Sequence, residues 1–82
     1  MTRVAAVDCG TNSIRLLVAD IDADGKLVDV HREMQVVRLG EGVDATGAFS
    51  PEAIERTRLA LVDYARVIAE TGATAVRMVA TS

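Results

Sequence analysis

Apolar side chains fall in strand-length runs over the first half of the chain, and the runs are divided by turn residues. Arg3 to Cys9 sets Val4, Ala6 and Asp8 on one face and Ala5, Val7 and Cys9 on the other. Both faces are apolar until the very end, the pattern of a central strand covered on both sides. Gly10-Thr11-Asn12 is a turn. Ser13 to Asp20 is a second strand, with Ile14, Leu16 and Val18 against Arg15, Leu17 and Ala19. Asp22-Ala23-Asp24-Gly25 makes a tight hairpin, where Gly25 is free to take positive φ. Lys26 to Arg38 is a long third strand. It alternates Val28, Val30, Arg32, Met34 and Val36 against the more polar Leu27, Asp29, His31, Glu33 and Gln35, as expected near a sheet edge.

The period then changes. A Gly-rich stretch, Gly40-Glu41-Gly42 through Thr46-Gly47, leads to a helix of about residues 51–71. Ser50 is its N-cap, Pro51 its first residue, and Glu52 complements the dipole. Ile54, Leu61, Ala65 and Ile68 form the predicted apolar stripe, with Glu52 and Arg56 paired at i,i+4. Gly72 ends the helix at C′. Ala75 to Thr81 is a fourth strand, apolar on both faces apart from Arg77.

Short connections make the first three strands an antiparallel meander. A right-handed crossover through the helix then sets the fourth strand beside the first, giving sheet order 3-2-1-4. The two-sided apolar strands need cover on both faces, and one helix is available. One layer is missing, so the chain either dimerises through its open face or opens a longer protein, the reading favoured by its stopping at Thr81-Ser82. An isolated piece of this kind is expected to be unstable or self-associating.

Composition narrows the class. The chain has 82 residues, half of them hydrophobic, a net charge of -3 and one cysteine. A single domain of this size is near the lower limit for standing alone. One cysteine rules out an internal disulfide framework. No apolar run reaches the roughly 20 residues of a membrane span, and Asp8 interrupts the N-terminus too early for a secretory signal. The expected class is a soluble cytoplasmic protein, with no electrostatic footprint for duplex nucleic acid or an anionic membrane.

The candidate chemistry lies at Asp8-Cys9-Gly10-Thr11-Asn12-Ser13. A carboxylate closes a buried strand and a Gly-containing hairpin follows. Gly10 lets a ligand approach the backbone. Turn N–H groups and the hydroxyls of Thr11 and Ser13 suit an anion-binding concavity. Asp8 beside it suits a divalent cation or a positioned water. The same residues also suit a plain hairpin with Asx-type bonds from Asp8 and Asn12.

Asp8-x-Gly10-Thr11-Asn12-Ser13-x-Arg15 resembles the first phosphate motif of the exopolyphosphatase / guanosine pentaphosphate phosphohydrolase (Ppx/GppA) family, of the actin-like ATPase and sugar-kinase superfamily. Arg38-Leu39-Gly40-Glu41-Gly42-Val43, Thr46-Gly47 and Ser50-x-Glu52-Ala53-Ile54-x-Arg56-Thr57 resemble its second block and first helix. Val79-Ala80-Thr81-Ser82 resembles the start of its Ala-Thr-Ser-Ala block. The similarity covers essentially the whole chain. It implies an α/β, ribonuclease H-like half-lobe, β-β-β-α-β with sheet order 3-2-1-4. Residues 1–82 would then be the N-terminal part of the first lobe, incomplete in this chain.

The resemblance further implies hydrolysis of a phosphoanhydride, with inorganic polyphosphate or guanosine pentaphosphate/tetraphosphate as partner. Asp8 would hold Mg²⁺ (with K⁺ or another divalent ion as a further option) or position the attacking water. Gly10, Thr11, Asn12 and Ser13 would cradle terminal phosphates. Arg15 would reach a phosphate or pair with a nearby carboxylate. Arg38 would bridge to substrate or brace the Gly40–Gly42 loop, bracing being favoured. Thr81 would lie near the cleft. The family's second phosphate motif, its glutamate base and a further arginine all fall beyond Ser82, so the 82 residues alone are expected to be inactive. The full-length protein would be a homodimer. The competing readings are a non-catalytic (p)ppGpp or polyphosphate sensor and an ATPase or kinase of the same superfamily.

Other signals weigh less. Asp20-x-Asp22-x-Asp24-Gly25 imitates the start of a calcium-binding loop, but the twelfth position is His31 where a bidentate Glu is needed. Cys9 reads as a buried thiol and His31 as a solvated strand residue. Met34, Met78 and Tyr64 read as packing residues.

Overall fold

A computed structural model describes residues 2–43 and 47–80. Its elements are β1 (Thr2–Cys9), β2 (Ser13–Ile21), β3 (Leu27–Val36), α1 (Pro51–Thr71) and β4 (Ala75–Ala80). They form one mixed sheet in the order β3-β2-β1-β4. β2 pairs antiparallel with both β1 and β3, and β4 runs parallel to β1. The expected β-β-β-α-β topology is the one observed.

The helix ends follow their local signals. Ser50 Oγ accepts from the Ala53 N–H at 3.1 Å, and Pro51 follows at the first turn. A cap of this kind is worth about 1 kcal/mol. Gly72 takes the left-handed conformation at φ 75° and its N–H donates to the Ala69 carbonyl. Such a φ suits a residue without Cβ.

The face that α1 buries is not the predicted stripe. Ala53, Ala60 and Tyr64 are the buried residues of the helix, whereas Ile54 is 51% exposed and Ala65 is exposed. Two alanines at the contact let the helix lie close on β2, and Tyr64 then reaches the sheet. Its hydroxyl donates to the Ile14 carbonyl at 2.7 Å, and burial pushes its pKa up, with Glu33 adding to the effect. Leu61, Ala65 and Ile68 instead line a groove between α1 and the uncovered strand β4.

The core is one cluster under α1. Ala5, Val7, Ile14, Leu16 and Val18 join Val37, Ala60 and Tyr64 there. The opposite sheet face is open, and Met34 on it is 54% exposed. Met78, on the α1 side of β4 but beyond the helix, is 59% exposed. Neither methionine is a core residue, because no described element packs over the open face at Met34 and α1 does not reach Met78. The molecule is accordingly two layers thick, 50 × 21 × 15 Å.

β3 also departs from strict alternation. Val18 pairs with His31 and Ala19 with Asp29, so Val30 is an extra residue in a bulge. One extra residue exchanges the two faces. Val28 therefore lies on the α1 side, opposite to Arg32, Met34 and Val36, with which alternation had grouped it.

Candidate phosphate-binding site

The β1–β2 hairpin is closed by the Gly10 N–H donating to the Ser13 carbonyl at 2.9 Å. Two-residue hairpins favour turns with positive φ. Neither Thr11 nor Asn12 takes one, for Arg38 is the positive-φ non-Gly residue among those described. The turn is held from outside instead. The Asn12 carbonyl accepts from both the Val37 and Arg38 N–H groups, at 2.8 and 2.9 Å, and the Thr11 carbonyl accepts from Gly40 at 3.1 Å. Gly40 is close enough that a Cβ there would sit 2.7 Å from Thr11 Cγ2. This explains why β3 ends at Val36: the next amides leave the ladder for the hairpin tip.

The arrangement has an electrostatic consequence. The carbonyl oxygens of Thr11 and Asn12 would repel an anion, and both are engaged by the 37–40 segment. Beside the turn, Asp8, Gly10, Ser13 and Arg15 line one depression on the open sheet face. Asp8 and Arg15 are direct cross-strand partners. Both are exposed, and among the described residues they form no ion pair. A wider apolar depression continues from them over Ala6, Leu17, Met34 and Val79.

The structure thus gathers four of the predicted site residues in one hollow. Thr11 and Asn12 stand at its rim, on the turn tip. Arg38 lies on the far side of the tip, its Nε 3.9 Å from Glu41 Oε2. Its contribution to the loop comes from its backbone, which sits at φ 51°. A left-handed non-Gly residue costs about 1–2 kcal/mol. Thr81, like Thr46 of the Gly-rich stretch, lies outside the described residues.

Sequence reasoning missed Arg56. In place of an i,i+4 pair with Glu52, its Nε donates to the Val37 carbonyl at 2.8 Å and its Nη2 to Glu41 Oε2 at 2.8 Å. The Arg56-Thr57 pair was part of the motif, but no local pattern shows where the side chain goes.

Asp8 fits a shared Mg²⁺ better than a closed metal cage. Mg²⁺ keeps several waters and is held by one or two carboxylates plus substrate phosphates. One exposed carboxylate beside the hairpin turn is compatible with that donor set. Among the described residues no group of three or more His, Cys, Asp or Glu could hold a metal alone. The imitation calcium loop is a hairpin turn: Asp22 Oδ1 accepts from the N–H groups of Asp24 and Lys26, at 2.9 Å each. Cys9 is half-buried against the core, and burial followed by the Asp8 charge pushes its thiol pKa up, away from nucleophilic use. Among the described residues no helix is long and apolar enough to cross a membrane.

The sequence and the fold are both shared with known proteins. The chain is 66% identical over 85 residues to Exopolyphosphatase 2 of Mycobacterium tuberculosis, an alignment covering all of this chain and 27% of that protein. The crystal structure of the Aquifex aeolicus Ppx/GppA phosphatase superposes with a TM-score of 0.91 at 35% identity, over 98% of this chain and 26% of that one. An exopolyphosphatase from Cytophaga hutchinsonii does so with a TM-score of 0.90 at 30% identity, over 99% and 26%. The chain spans about a quarter of the length of these relatives, and its fold is that of the actin-like ATPases. Residues 17–82 match the Ppx/GppA phosphatase family, and the chain belongs to that family.

Proposed function

We propose that this chain supplies one side of the phosphate clamp in an enzyme that releases terminal phosphate from inorganic polyphosphate, from pentaphosphorylated guanosine, or from both. The carrying observation is the hairpin: its two turn carbonyls are tied back while Asp8 and Arg15 stand side by side, open to solvent. Residues 1–82 form part of the first lobe in this reading. The kinship to a protein named Exopolyphosphatase 2 supports polyphosphate as substrate.

The chemistry asked of these residues is positioning and charge neutralisation. Phosphoryl transfer disperses negative charge over the oxygens of the moving group, and fixed donors and a metal ion stabilise it. The Thr11 and Asn12 N–H groups and the Ser13 hydroxyl hold phosphate oxygens, the Gly10 N–H being used to close the hairpin, and Arg15 adds a positive charge. Asp8 holds Mg²⁺, which when bound supplies charge neutralisation. Among the described residues Asp8 is the carboxylate that lines the hollow, and in this reading the base that activates water is supplied by another part of the enzyme. The enzyme works in the cytoplasm, as a homodimer.

Phosphate release by the full-length protein from long-chain polyphosphate, pentaphosphorylated guanosine and ATP, each with Mg²⁺, tests the reading. Hydrolysis of either of the first two in preference to ATP is the expected result. Tight polyphosphate binding without release would make the protein a sensor, and a preference for ATP would make it an ATPase or kinase. The 82-residue chain alone should release no phosphate.

A further inference from the structure

The sheet-facing ridge of α1 has one charged member. Arg56 follows Ala53 by three positions and precedes Ala60 by four, so all three share a helix face. The two alanines are buried, and Arg56 is half-buried between them. Short neighbours leave room for its stem, and the guanidinium emerges at the segment that leaves β3. There it meets three acceptors: the Val37 carbonyl at 2.8 Å, the Arg38 carbonyl at 3.4 Å and Glu41 Oε2 at 2.8 Å. Val37 and Arg38 are the residues whose N–H groups both grip the Asn12 carbonyl. Arg38 is also the residue held in the left-handed region.

We propose that Arg56 is a positioning residue for the phosphate hairpin, acting through the Val37–Arg38 peptide on the Asn12 carbonyl. Its planar fork holds the carbonyl side of the 37–38 segment, so the N–H side stays aimed at the turn. Without it the strained Arg38 backbone relaxes, the Asn12 carbonyl loses its two donors, and that oxygen is free to turn toward the anion. Arg56 touches no substrate in this scheme. A lysine carries the same charge and can keep Glu41, but it is a point charge without the fork that reaches the carbonyls together. The proposal rests on the phosphate-binding reading of the hairpin.

The test uses the full-length protein with Arg56→Lys, and Arg58→Lys as control. Arg58 pairs with Glu55 on the exposed side of α1, away from the site. Kinetics on polyphosphate are measured well below the melting midpoint of each variant, where a purely structural change leaves the kcat and KM of the folded enzyme untouched. Arg56→Lys should lose roughly 10–100-fold in kcat/KM, the scale of a small misplacement of positioned groups, and Arg58→Lys should match the wild type. NMR shifts of the Thr11, Asn12 and Val37 amides, read without ligand, should move in Arg56→Lys alone. Unchanged kinetics and unmoved amides in Arg56→Lys would overturn the proposal. A wild type that neither binds nor cleaves tripolyphosphate sinks the phosphate reading instead, and the amide shifts still decide whether Arg56 sets the turn. If Arg56→Lys fails to fold, Glu41→Gln with the same amide readout replaces it. That variant weakens one arm of the fork, so a smaller movement of the same amides is expected and none would refute the proposal.

Discussion

On the side of the sheet under α1, Ala5, Val7, Ile14, Leu16 and Val18 are each no more than 2% exposed. On the other side, Asp8 and Arg15 stand one residue from Val7 and Leu16 in the same strands and are open to solvent. The pleat alone makes this division, because successive side chains point to opposite faces. Stability is gathered on one side, and the charged groups of the hollow on the other. At the place of Val7 or of Leu16 either charge would be buried unpaired, at a cost of several kcal/mol.

The sharpest way to break the comparison is to damage each side separately. Leu16→Ala removes a fully buried side chain from the helix-covered side. It should cost about 2–5 kcal/mol of stability, which for a protein of ordinary marginal stability is a large part of the total. Urea unfolding followed by circular dichroism measures it. The turnover of molecules that remain folded should be close to wild type. The second change goes the other way. Asp8→Asn should leave the urea midpoint within the roughly 0.5 kcal/mol typical of exposed positions. It should lower kcat on polyphosphate by about 10²–10³-fold, the scale set by removing one fixed electrostatic group from a site, and weaken the dependence of rate on Mg²⁺. An Asp8→Asn protein that unfolds easily would show that the two sides are not independent.

The sequence announces the parts of this division that rest on local signals. Ser50-Pro51 starts α1, Gly72 ends it, Gly25 turns the second hairpin, and Asp8 to Ser13 marks the hollow. What it conceals depends on residues far apart in the chain. Arg56 bonds to carbonyls 18 and 19 positions away, and only the crossover brings them together, so the local i,i+4 partner Glu52 was the natural but wrong choice. The bulge at Val30 carries no Gly or Pro to betray it, yet it exchanges the faces of β3. The exposure of Met34 and Met78 depends on which layers are present, and apolar character says nothing of that. Arg38 is the least readable of all: nothing in an arginine side chain suggests a left-handed backbone, which goes with its N–H reaching the Asn12 carbonyl on the β1–β2 turn.

The smallest expected effect concerns a charge that does lie on the helix-covered side. Arg3 and Asp20 are cross-strand partners at the end of the sheet away from the hairpin. Arg3 Nε and Nη2 donate to the two Asp20 carboxylate oxygens at 2.8 and 3.0 Å, and Nη1 donates to the Thr71 carbonyl at 2.8 Å, in the last turn of α1. The side tolerates this pair because every charge is hydrogen-bonded and the sheet margin lets water in. The Arg3 hydrogen bonds hold the Asp20 carboxyl below the usual aspartate range, against the opposing effect of desolvation. A depressed folded pKa stabilises the protein when the group is ionised. That contribution is fully present above the ordinary aspartate value of about 3.9, and it is lost as pH falls through the lowered folded value. Asp20→Asn should therefore narrow the stability gap to wild type as pH falls below about 4, from a constant gap at neutral pH. Urea midpoints across that range give the curve, and hydrolysis per folded molecule should not change. A gap that stays constant down to pH 2 would mean that the pair is not formed in solution, and that the helix-covered side carries no working charge even at its margin.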